Sequence, residues 1–263
     1  MAEFVKLIDV SKCTGCRGCQ VACKNWNELP AEKTSFLGSR SLQNPPELSY
    51  NTWTLIRFDE VNSEDGKLKW VMRHDACLHC ETPACAKACP SPGALVKTAE
   101  GAVVHDPKYC IGCKACISAC PFNIPRNSAA EEKMAKCSLC YDRITNGKKP
   151  ACVTACPTGC LDFGYKDDMI AKAHKKAEAS KGAIYPDNHS YGTNVLYVMP
   201  AGVKLTDLQN VNPKPGMPTT ILWWKNLFKP FTLIGMGAVA GFAALHYFIK
   251  GPHLVEKKKE GGE

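Results

Sequence analysis

The residues best suited to chemistry in this 263-residue chain are its cysteines, because sixteen of the 17 fall into four tight groups. The groups are Cys13, Cys16, Cys19 and Cys23; Cys77, Cys80, Cys85 and Cys89; Cys110, Cys113, Cys116 and Cys120; and Cys137, Cys140, Cys152 and Cys156. Thiols this close along a chain make poor disulfide partners, because a bridge needs its two Cβ atoms at a specific distance and angle. The chain is also too long for the small secreted class that disulfides stabilise. The cysteines therefore indicate bound metal.

The spacing of the cysteines favours iron–sulfur clusters over zinc. The first and third groups read C-x2-C-x2-C-x3-C, the run of bacterial 4Fe–4S ferredoxins, in which the fourth cysteine ligates the other cluster of a two-cluster module. Proline follows the fourth cysteine in three groups, at Pro90, Pro121 and Pro157, as that run expects, and Lys24 takes its place in the first. Structural zinc sites usually pair two short knuckles across a longer loop. Sixteen thiolates supply four 4Fe–4S clusters, and a structural zinc protein is the alternative.

A few polar residues and one cysteine lie beside the predicted ligands without belonging to them. Cys160 is left over once the four groups are complete, and we expect it to pack as a small buried hydrophobic residue. His79, His105 and Asp106 are the residues nearest to a catalytic constellation, and we expect them to satisfy hydrogen bonds around the ligands instead. The sequence therefore predicts no catalytic residue.

The charge balance does not indicate a nucleic-acid partner. The chain has 33 basic and 25 acidic residues, a formal net charge of +8. A 4Fe–4S cluster with four thiolates carries about −2, so four clusters offset that charge almost completely. Several basic residues adjoin ligands, where they balance cluster charge: Lys12, Arg17, Lys24, Lys87, Lys114 and Lys136. No basic stripe interleaved with aromatic residues follows the chain, so nucleic-acid binding is not predicted.

One segment near the C-terminus has the length and composition of a transmembrane helix. Residues 231–249 contain no formally charged side chain, and nineteen residues suffice to cross a hydrocarbon core. Residues of the type that anchor at membrane interfaces lie at its ends: Trp223, Trp224, Lys229, Tyr247 and Lys250. A buried core helix is the alternative, although a helix apolar on all faces has little soluble core to enter here. His246 either reaches the interface or lies beside a partner's haem or quinone site.

The segments around the cysteine groups predict the elements that position them. Residues 52–61 and 67–75 alternate like two paired strands, and residues 95–106 predict a short hairpin with Gly101 at its turn. Residues 166–182 predict a polar helix that ends at Gly182, and residues 194–199 predict a strand. The fold class is therefore α+β, with two nested ferredoxin-like modules of two 4Fe–4S clusters each, insertions, and one C-terminal transmembrane helix.

The same reading divides the chain into four parts. A double ferredoxin-like domain with four clusters covers 1–165 and includes an insertion at 24–76 and an inner module at 77–121. A helix and strand extension with a proline-rich linker follows at 166–230. The transmembrane helix covers 231–249, and a charged tail covers 250–263.

Four ferredoxin-type groups followed by one C-terminal span resemble a known family. The stretches CTGCRGCQVACKNWNE, CLHCETPACAKACPSPGAL and GTNVLYVM, with the ending WWKNLFKP and HYFIKGP, are similar to the iron–sulfur (beta) subunits of membrane-bound molybdopterin oxidoreductases. Within that group the insertion and the tail most resemble the beta subunits of respiratory formate dehydrogenases. Other membrane molybdopterin oxidoreductases and some hydrogenases share the plan of four clusters and remain alternatives.

The resemblance implies an electron relay without substrate chemistry of its own. A catalytic alpha subunit with molybdenum or tungsten would oxidise formate, and a membrane cytochrome b gamma subunit would pass the electrons to quinone. The resemblance also implies which cysteines share a cluster. The sets are Cys13, Cys16, Cys19 and Cys156 for cluster 1; Cys77, Cys80, Cys85 and Cys120 for cluster 2; Cys110, Cys113, Cys116 and Cys89 for cluster 3; and Cys137, Cys140, Cys152 and Cys23 for cluster 4.

The expected side of the membrane depends on two opposed signals. No apolar signal-peptide segment precedes Cys13, which favours a cytoplasmic cluster domain. Subunits that resemble this chain travel folded with a catalytic partner that carries a twin-arginine signal, which removes that objection. The excess of lysines after residue 249 also favours a cytoplasmic tail by a narrow margin. We therefore expect the cluster domain on the periplasmic side, anchored in the bilayer by one helix, with the cytoplasmic side as the alternative.

Overall fold

The computed structural model describes residues 3–34, 42–62, 66–128, 130–186, 192–223 and 228–251. The chain divides into two compact units, Met1–Pro218 and Thr219–Glu263. The described strands are β1 Phe4–Asp9, β2 Leu55–Asn62, β3 Leu68–Asp75, β4 Leu95–Lys97, β5 Val103–His105, β6 Arg126–Asn127, β7 Met134–Ala135, β8 Leu161–Tyr165, β9 Ala183–Tyr185 and β10 Val195–Met199. The described α-helices are α1 Gly18–Trp26, α2 Ala84–Ala88, α3 Ala115–Ala119, α4 Tyr141–Thr145, α5 Ala151–Thr154, α6 Lys166–Ser180, α7 Thr219–Trp223 and α8 Lys229–Lys250.

A four-stranded sheet in the order β8-β1-β10-β9 joins the two ends of the first unit. β1 pairs in parallel with β10, with Leu7 opposite Leu196, and antiparallel with β8. The sequence predicted β10, but it did not predict β1 or β8. β10 therefore belongs to the same sheet as the first strand of the chain, and residues 166–199 pack within the same compact unit as the cysteine groups.

Helix α6 covers one face of this sheet. The helix is polar on most of its surface, as predicted, but Met169, Ala173 and Ala177 form a buried stripe that packs against Val5 and Leu7 of β1. The helix ends at Ser180, two residues before the predicted end. Lys181 adopts a left-handed conformation with φ 50°, and the Gly182 N–H donates to the Ala177 carbonyl oxygen at 2.9 Å, the usual way of ending a helix.

Both predicted hairpins are confirmed. β2 and β3 pair antiparallel from Leu55 opposite Asp75 to Asn62 opposite Leu68, and residues 63–65 of the predicted turn lie outside the described residues. β4 and β5 form the second hairpin. Gly101 lies in its turn with φ +93°, and a Cβ atom there would lie 2.4 Å from the Asn194 side-chain nitrogen, so the turn requires glycine.

The second unit contains the helix that the sequence predicted as a membrane span. α8 runs from Lys229 to Lys250, and Phe231–Lys250 is long and apolar enough to cross a bilayer. All its described side chains between Phe231 and Lys250 are exposed, as expected for a helix whose surroundings are lipid rather than protein core. Most of the predicted tail, residues 252–263, lies outside the described residues.

Candidate metal centres

The first and third cysteine groups share one loop conformation. Gly15 and Gly112 have φ of +67° and +69°, and Arg17 and Lys114 both have φ 61° immediately before helices α1 and α3. Alternating left-handed residues curl the backbone around a small volume and point successive N–H groups toward it, an arrangement that binds anionic groups. Gly112 is also in close contact with the Glu132 carbonyl oxygen, so no side chain fits there. Glycine therefore occurs at this position of both groups for a steric reason.

The first group and one distant cysteine line a common cavity. Its volume is about 310 Å³, and its lining includes Cys13, Cys16, Cys19 and Cys156. His74 and Cys160 line the same cavity. Short helix α5 packs beside α1, which brings the end of the fourth group to the first.

A second cavity, of about 300 Å³, is lined by three cysteines of the fourth group and one of the first group. Its lining includes Cys137, Cys140, Cys152 and Cys23. Cys23 lies in α1 one helical turn after Cys19, so it shares a helix face with Cys19 but lies about 6 Å further along the axis, in the lining of the second cavity.

The second and third groups also lie against each other, because α2 packs on α3. Burial is the largest cause of the raised pKa of the Cys80 thiol. The charges of Cys77, Cys120 and Cys85 raise this pKa further. Cys116 has Cys85, Cys113, Cys89 and Cys110 as its charged neighbours. The fourth cysteine of each of these groups therefore lies among cysteines of the other group.

The buried thiols need a bound cation to ionise. Burial, the largest cause in each case, raises the pKa of Cys23, Cys85 and Cys116 to about 12 and that of Cys120 to about 11. Thiols with such pKa values are neutral at pH 7, whereas metal coordination requires the thiolate. These four cysteines therefore fit sites in which metal stabilises the thiolates.

The spacing of the side chains fits a polynuclear cluster better than a single ion. Within the part of the chain that the structure describes, no three His, Cys, Asp or Glu side chains converge closely enough to hold one metal ion. Zinc needs four ligands at about 2.3 Å in a tetrahedron. Four cysteines from two groups around one cavity fit the four thiolate ligands of a 4Fe–4S cluster.

The polar residues singled out from the sequence have different surroundings. His79 Nδ1 accepts a hydrogen bond from the Val103 N–H at 2.9 Å, and an Asp106 carboxylate oxygen accepts one from the Lys108 N–H at 2.8 Å, as predicted. Among the described residues, Nε2 of His79 and Nε2 of His105 are both buried without a hydrogen-bond partner, so the prediction is confirmed for only one ring nitrogen of His79. Within the same part of the chain, neither ring nitrogen of His74 has a hydrogen-bond partner from another residue, although the side chain lines the first cavity.

Cys160 packs in the core, as predicted, with 3 % of its surface exposed. Its thiol also contacts a predicted ligand: a hydrogen bond from Cys160, the largest cause, lowers the pKa of Cys13 to about 7 against the opposing effect of burial. Cys160 is thus a neighbour of the first cavity rather than a remote core residue.

Two buried lysines accompany the cysteines. Lys136, which the sequence had marked, is 4 % exposed and donates to the Cys137 carbonyl oxygen at 3.0 Å. Lys6, which the sequence analysis missed, is 1 % exposed and lines the second cavity. The signal for Lys6 was present in FVKLID, where one lysine interrupts a short apolar run.

Electrostatic neighbours link the four groups in a row, in the order first, fourth, second and third, which differs from their order in the sequence. Charge on Cys152 acts on Cys19, which joins the fourth group to the first. Charge on Cys77 acts on Cys137, and charge on Cys85 acts on Cys116, so the second group lies between the fourth and the third. Of the seventeen cysteines, which all lie within the described ranges, Cys16 and Cys113 are exposed and the others are buried or half-buried. Each end of the row therefore has one exposed cysteine.

Three family models match the chain. Two are described as a 4Fe-4S dicluster domain and match residues 12–94 and 68–166. The third is described as formate dehydrogenase N, transmembrane, and matches residues 217–260. Together they cover the cysteine groups and the helix α8.

Several curated proteins are similar over 70 % or more of the chain. The iron–sulfur subunit of the nitrate-inducible formate dehydrogenase of Escherichia coli is 42 % identical over 260 residues, which are 96 % of this chain and 87 % of the relative. The formate dehydrogenase iron–sulfur subunit of Haemophilus influenzae is 40 % identical over 97 % of this chain and 83 % of its own length. Formate dehydrogenase 2 subunit beta (cytochrome c-553) of Nitratidesulfovibrio vulgaris is 42 % identical over 70 % of this chain and 85 % of its own.

Proposed function

This chain belongs to the iron–sulfur subunits of formate dehydrogenases, and from that premise we propose that it conducts electrons through four 4Fe–4S clusters between a catalytic subunit and a membrane cytochrome b. Its role is electron transfer within a formate dehydrogenase. Each bound cluster supplies one-electron chemistry. Formate oxidation to carbon dioxide releases two electrons and a proton, so a partner with molybdenum or tungsten would deliver its electrons singly to this subunit.

The proposed cluster ligands follow the exchange of fourth cysteines between groups. Cys156 would complete the site of Cys13, Cys16 and Cys19, and Cys23 would complete that of Cys137, Cys140 and Cys152. Cys120 and Cys89 would be exchanged in the same way between the second and third groups. The common cavities and the mutual effects of the thiol charges support these sets.

The observation that carries the proposal is the row of four groups with one exposed cysteine at each end. Electrons must enter and leave a relay at points that partners can approach, and the interior sites need no access to solvent. Cys16 and Cys113 meet the first condition. We propose that one end of the row receives electrons from the catalytic subunit and that the other delivers them to cytochrome b.

The chain's own residues would hold and insulate the clusters. The left-handed loops of the first and third groups would direct N–H groups toward the sulfur of a bound cluster and stabilise negative charge there. The apolar core around the cysteines excludes water, and Ile8, Leu55 and Leu139 are almost completely buried in it. Burial and hydrogen bonds to sulfur set the potential of each site.

Metal and sulfide analysis tests the cofactor content. Anaerobically purified protein should be brown and contain about sixteen iron and about sixteen acid-labile sulfide per chain, the content of four cubanes. A stoichiometric zinc content without sulfide would overturn the proposal. The Cys160→Ser variant is the matched control, since Cys160 belongs to none of the proposed ligand sets and its loss should leave the iron content unchanged.

A further inference from the structure

Lys6 occupies a position where an apolar side chain is expected. Side chains alternate along β1, and Val5 and Leu7 pack against α6 on one face of the sheet. Lys6 shares the opposite face with Ile8, which belongs to the core that contains the cysteine groups. A fully buried ammonium group is strongly unfavourable unless negative charge surrounds it. A lysine at this position therefore needs a partner of opposite charge.

The negative charge around Lys6 comes from two cysteine groups. Lys6 lines the second cavity, and the thiolates that act on it are those of Cys152, Cys137, Cys140 and Cys19. These cysteines are thiolates when a cluster is bound, so the cluster site itself would supply the negative charge that Lys6 balances. The charge of Lys6 also acts on His74 in the lining of the first cavity. Lys6 therefore lies between the first and the second cavity.

We propose that Lys6 is an internal counter-ion that raises the reduction potential of the cluster held by Cys137, Cys140, Cys152 and Cys23. The inference rests on the proposed function, because it requires clusters in these cavities. Reduction adds one negative charge to a cluster, and a nearby ammonium group stabilises the reduced form more than the oxidised form. This effect is large in a buried site, where the effective dielectric constant is low. Lys6 thus favours the arrival of an electron at this inner site and acts as a positioning residue, not a catalytic one.

Lys136 provides a matched comparison inside the same molecule. It is equally buried, but its charge acts on Cys85 and Cys120, which belong to the proposed site of the second group. Each of the two inner sites of the row therefore has its own buried lysine. Replacing Lys6 should shift the potential of the fourth-group cluster most, and replacing Lys136 should shift that of the second-group cluster most, although Lys136 also hydrogen-bonds the Cys137 carbonyl oxygen of the fourth group.

The experiment replaces Lys6 with methionine, which has a similar volume and no charge, in the full chain assembled with its partners. Redox titration monitored by electron paramagnetic resonance gives the potential of each cluster, and the signal missing from a Cys23→Ser variant identifies the one in question. In Lys6→Met the reduction equilibrium constant of that cluster should fall at least tenfold, a shift of about 59 mV to more negative potential. The cluster of the second group should shift in Lys136→Met instead.

Two results would overturn the role of Lys6: no shift in Lys6→Met, or an equal shift of all four clusters. If the Lys6→Met protein loses iron, the Lys6→Arg variant shows whether the charge or the shape of lysine is required. Four clusters with the native potential in Lys6→Arg would show that the charge is required, whereas the same loss of iron would show that only the shape of lysine matters and would refute the proposal. Fewer than about sixteen iron in the unmodified protein would contradict the proposed function itself.

Discussion

At the scale of single residues, the ligand loops depend on a few backbone positions with positive φ. Arg17 and Lys114 are not glycine, yet both adopt φ 61° before the helix that contains the third cysteine of their group. A left-handed non-glycine residue costs about 1 kcal/mol or more. Its recurrence at the same point of two groups distant in sequence indicates that the curl around the metal requires it.

The exchange of Cys156 gives a prediction at this scale. Replacing Cys156 with serine should weaken the cluster of the first group and leave the cluster of Cys137, Cys140 and Cys152 intact, because Cys156 lines the first cavity. Iron content and cluster-resolved electron paramagnetic resonance measure the change, and the iron should fall from about sixteen toward about twelve per chain. Cys160→Ser, in the same neighbourhood, should retain all four signals.

Loss of the fourth-group signal in Cys156→Ser, with the first-group signal unchanged, would refute this pairing. It would mean that each group of four consecutive cysteines holds its own cluster. That outcome would refute the exchange of fourth cysteines between groups. It would not affect the choice of iron–sulfur clusters over zinc.

The cysteine ligands could be predicted from the sequence because their spacing is local, whereas other residues of the site could not. Thiol spacing within a dozen residues specifies the kind of cluster directly. Lys6 and His74 reach the cavities only through the packing of β1 and β3 on the cysteine loops. The run FVKLID marks Lys6 as an exception among apolar residues, but the approach of Lys6 and His74 to the cavities depends on contacts between residues far apart in sequence.

At the scale of elements, α6 is tied to the sheet by ion pairs as well as by its apolar stripe. Lys166 donates to Glu3 at 2.8 Å and also to Glu81, and Lys176 pairs with Asp9. Burial opposes the charge of Lys166, but its hydrogen bonds with Glu3 and Glu81 outweigh that effect and raise its pKa above 10.5. The first turn of α6 thus has an anchor that depends on pH.

The sign of this dependence follows from the raised pKa of Lys166. Its contribution to stability is fully present below the unfolded pKa of 10.5 and is lost as the pH rises through the higher folded pKa. Thermal unfolding should therefore show Lys166→Met less stable than the native protein by at most about 1 kcal/mol at pH 8, because the pair is partly exposed. The difference should be smaller at pH 12 than at pH 8, because this contribution falls as the pH rises above 10.5.

The exposed Lys175 on the same helix supplies the control for that comparison. Lys175→Met should match the native protein within about 0.5 kcal/mol at both pH values. A difference between native protein and Lys166→Met that persists unchanged at pH 12 would show that the lysine stabilises the helix through packing instead of charge.

The sequence predicted local elements well and the central sheet poorly. Both hairpins have strong alternation and a turn between adjacent segments, so local pattern suffices. β1 is a six-residue strand with a lysine in it, and its partner β10 begins at Val195, so nothing local indicates the pairing. Parallel pairing of the two ends of the unit is a property of the packed core, which only the structure reveals.

At the scale of the whole molecule, the row of cysteine groups and the apolar helix α8 make this subunit an anchored relay. We predict that the cluster domain lies on the periplasmic side and that the tail after Lys250 is cytoplasmic. Protease added to intact spheroplasts should then reach the proline-rich linker near Pro213 and spare a tag fused after Glu263. A clipped tag with a protected linker would reverse the orientation, and lysed spheroplasts, in which both sites should be cut, provide the control.

The central claim is that electrons pass through the row in the order of the first, fourth, second and third groups. The most direct measurement removes the cluster of the fourth group, by Cys137→Ser in the intact complex, and follows reduction of the cytochrome b haem after addition of formate. If the row is the path, haem reduction should slow by at least about a hundredfold, since an inner site is missing, while formate oxidation with a soluble dye that accepts electrons at the catalytic subunit continues. Haem reduction at the native rate, in a variant whose iron content confirms that only this cluster is absent, would contradict the relay.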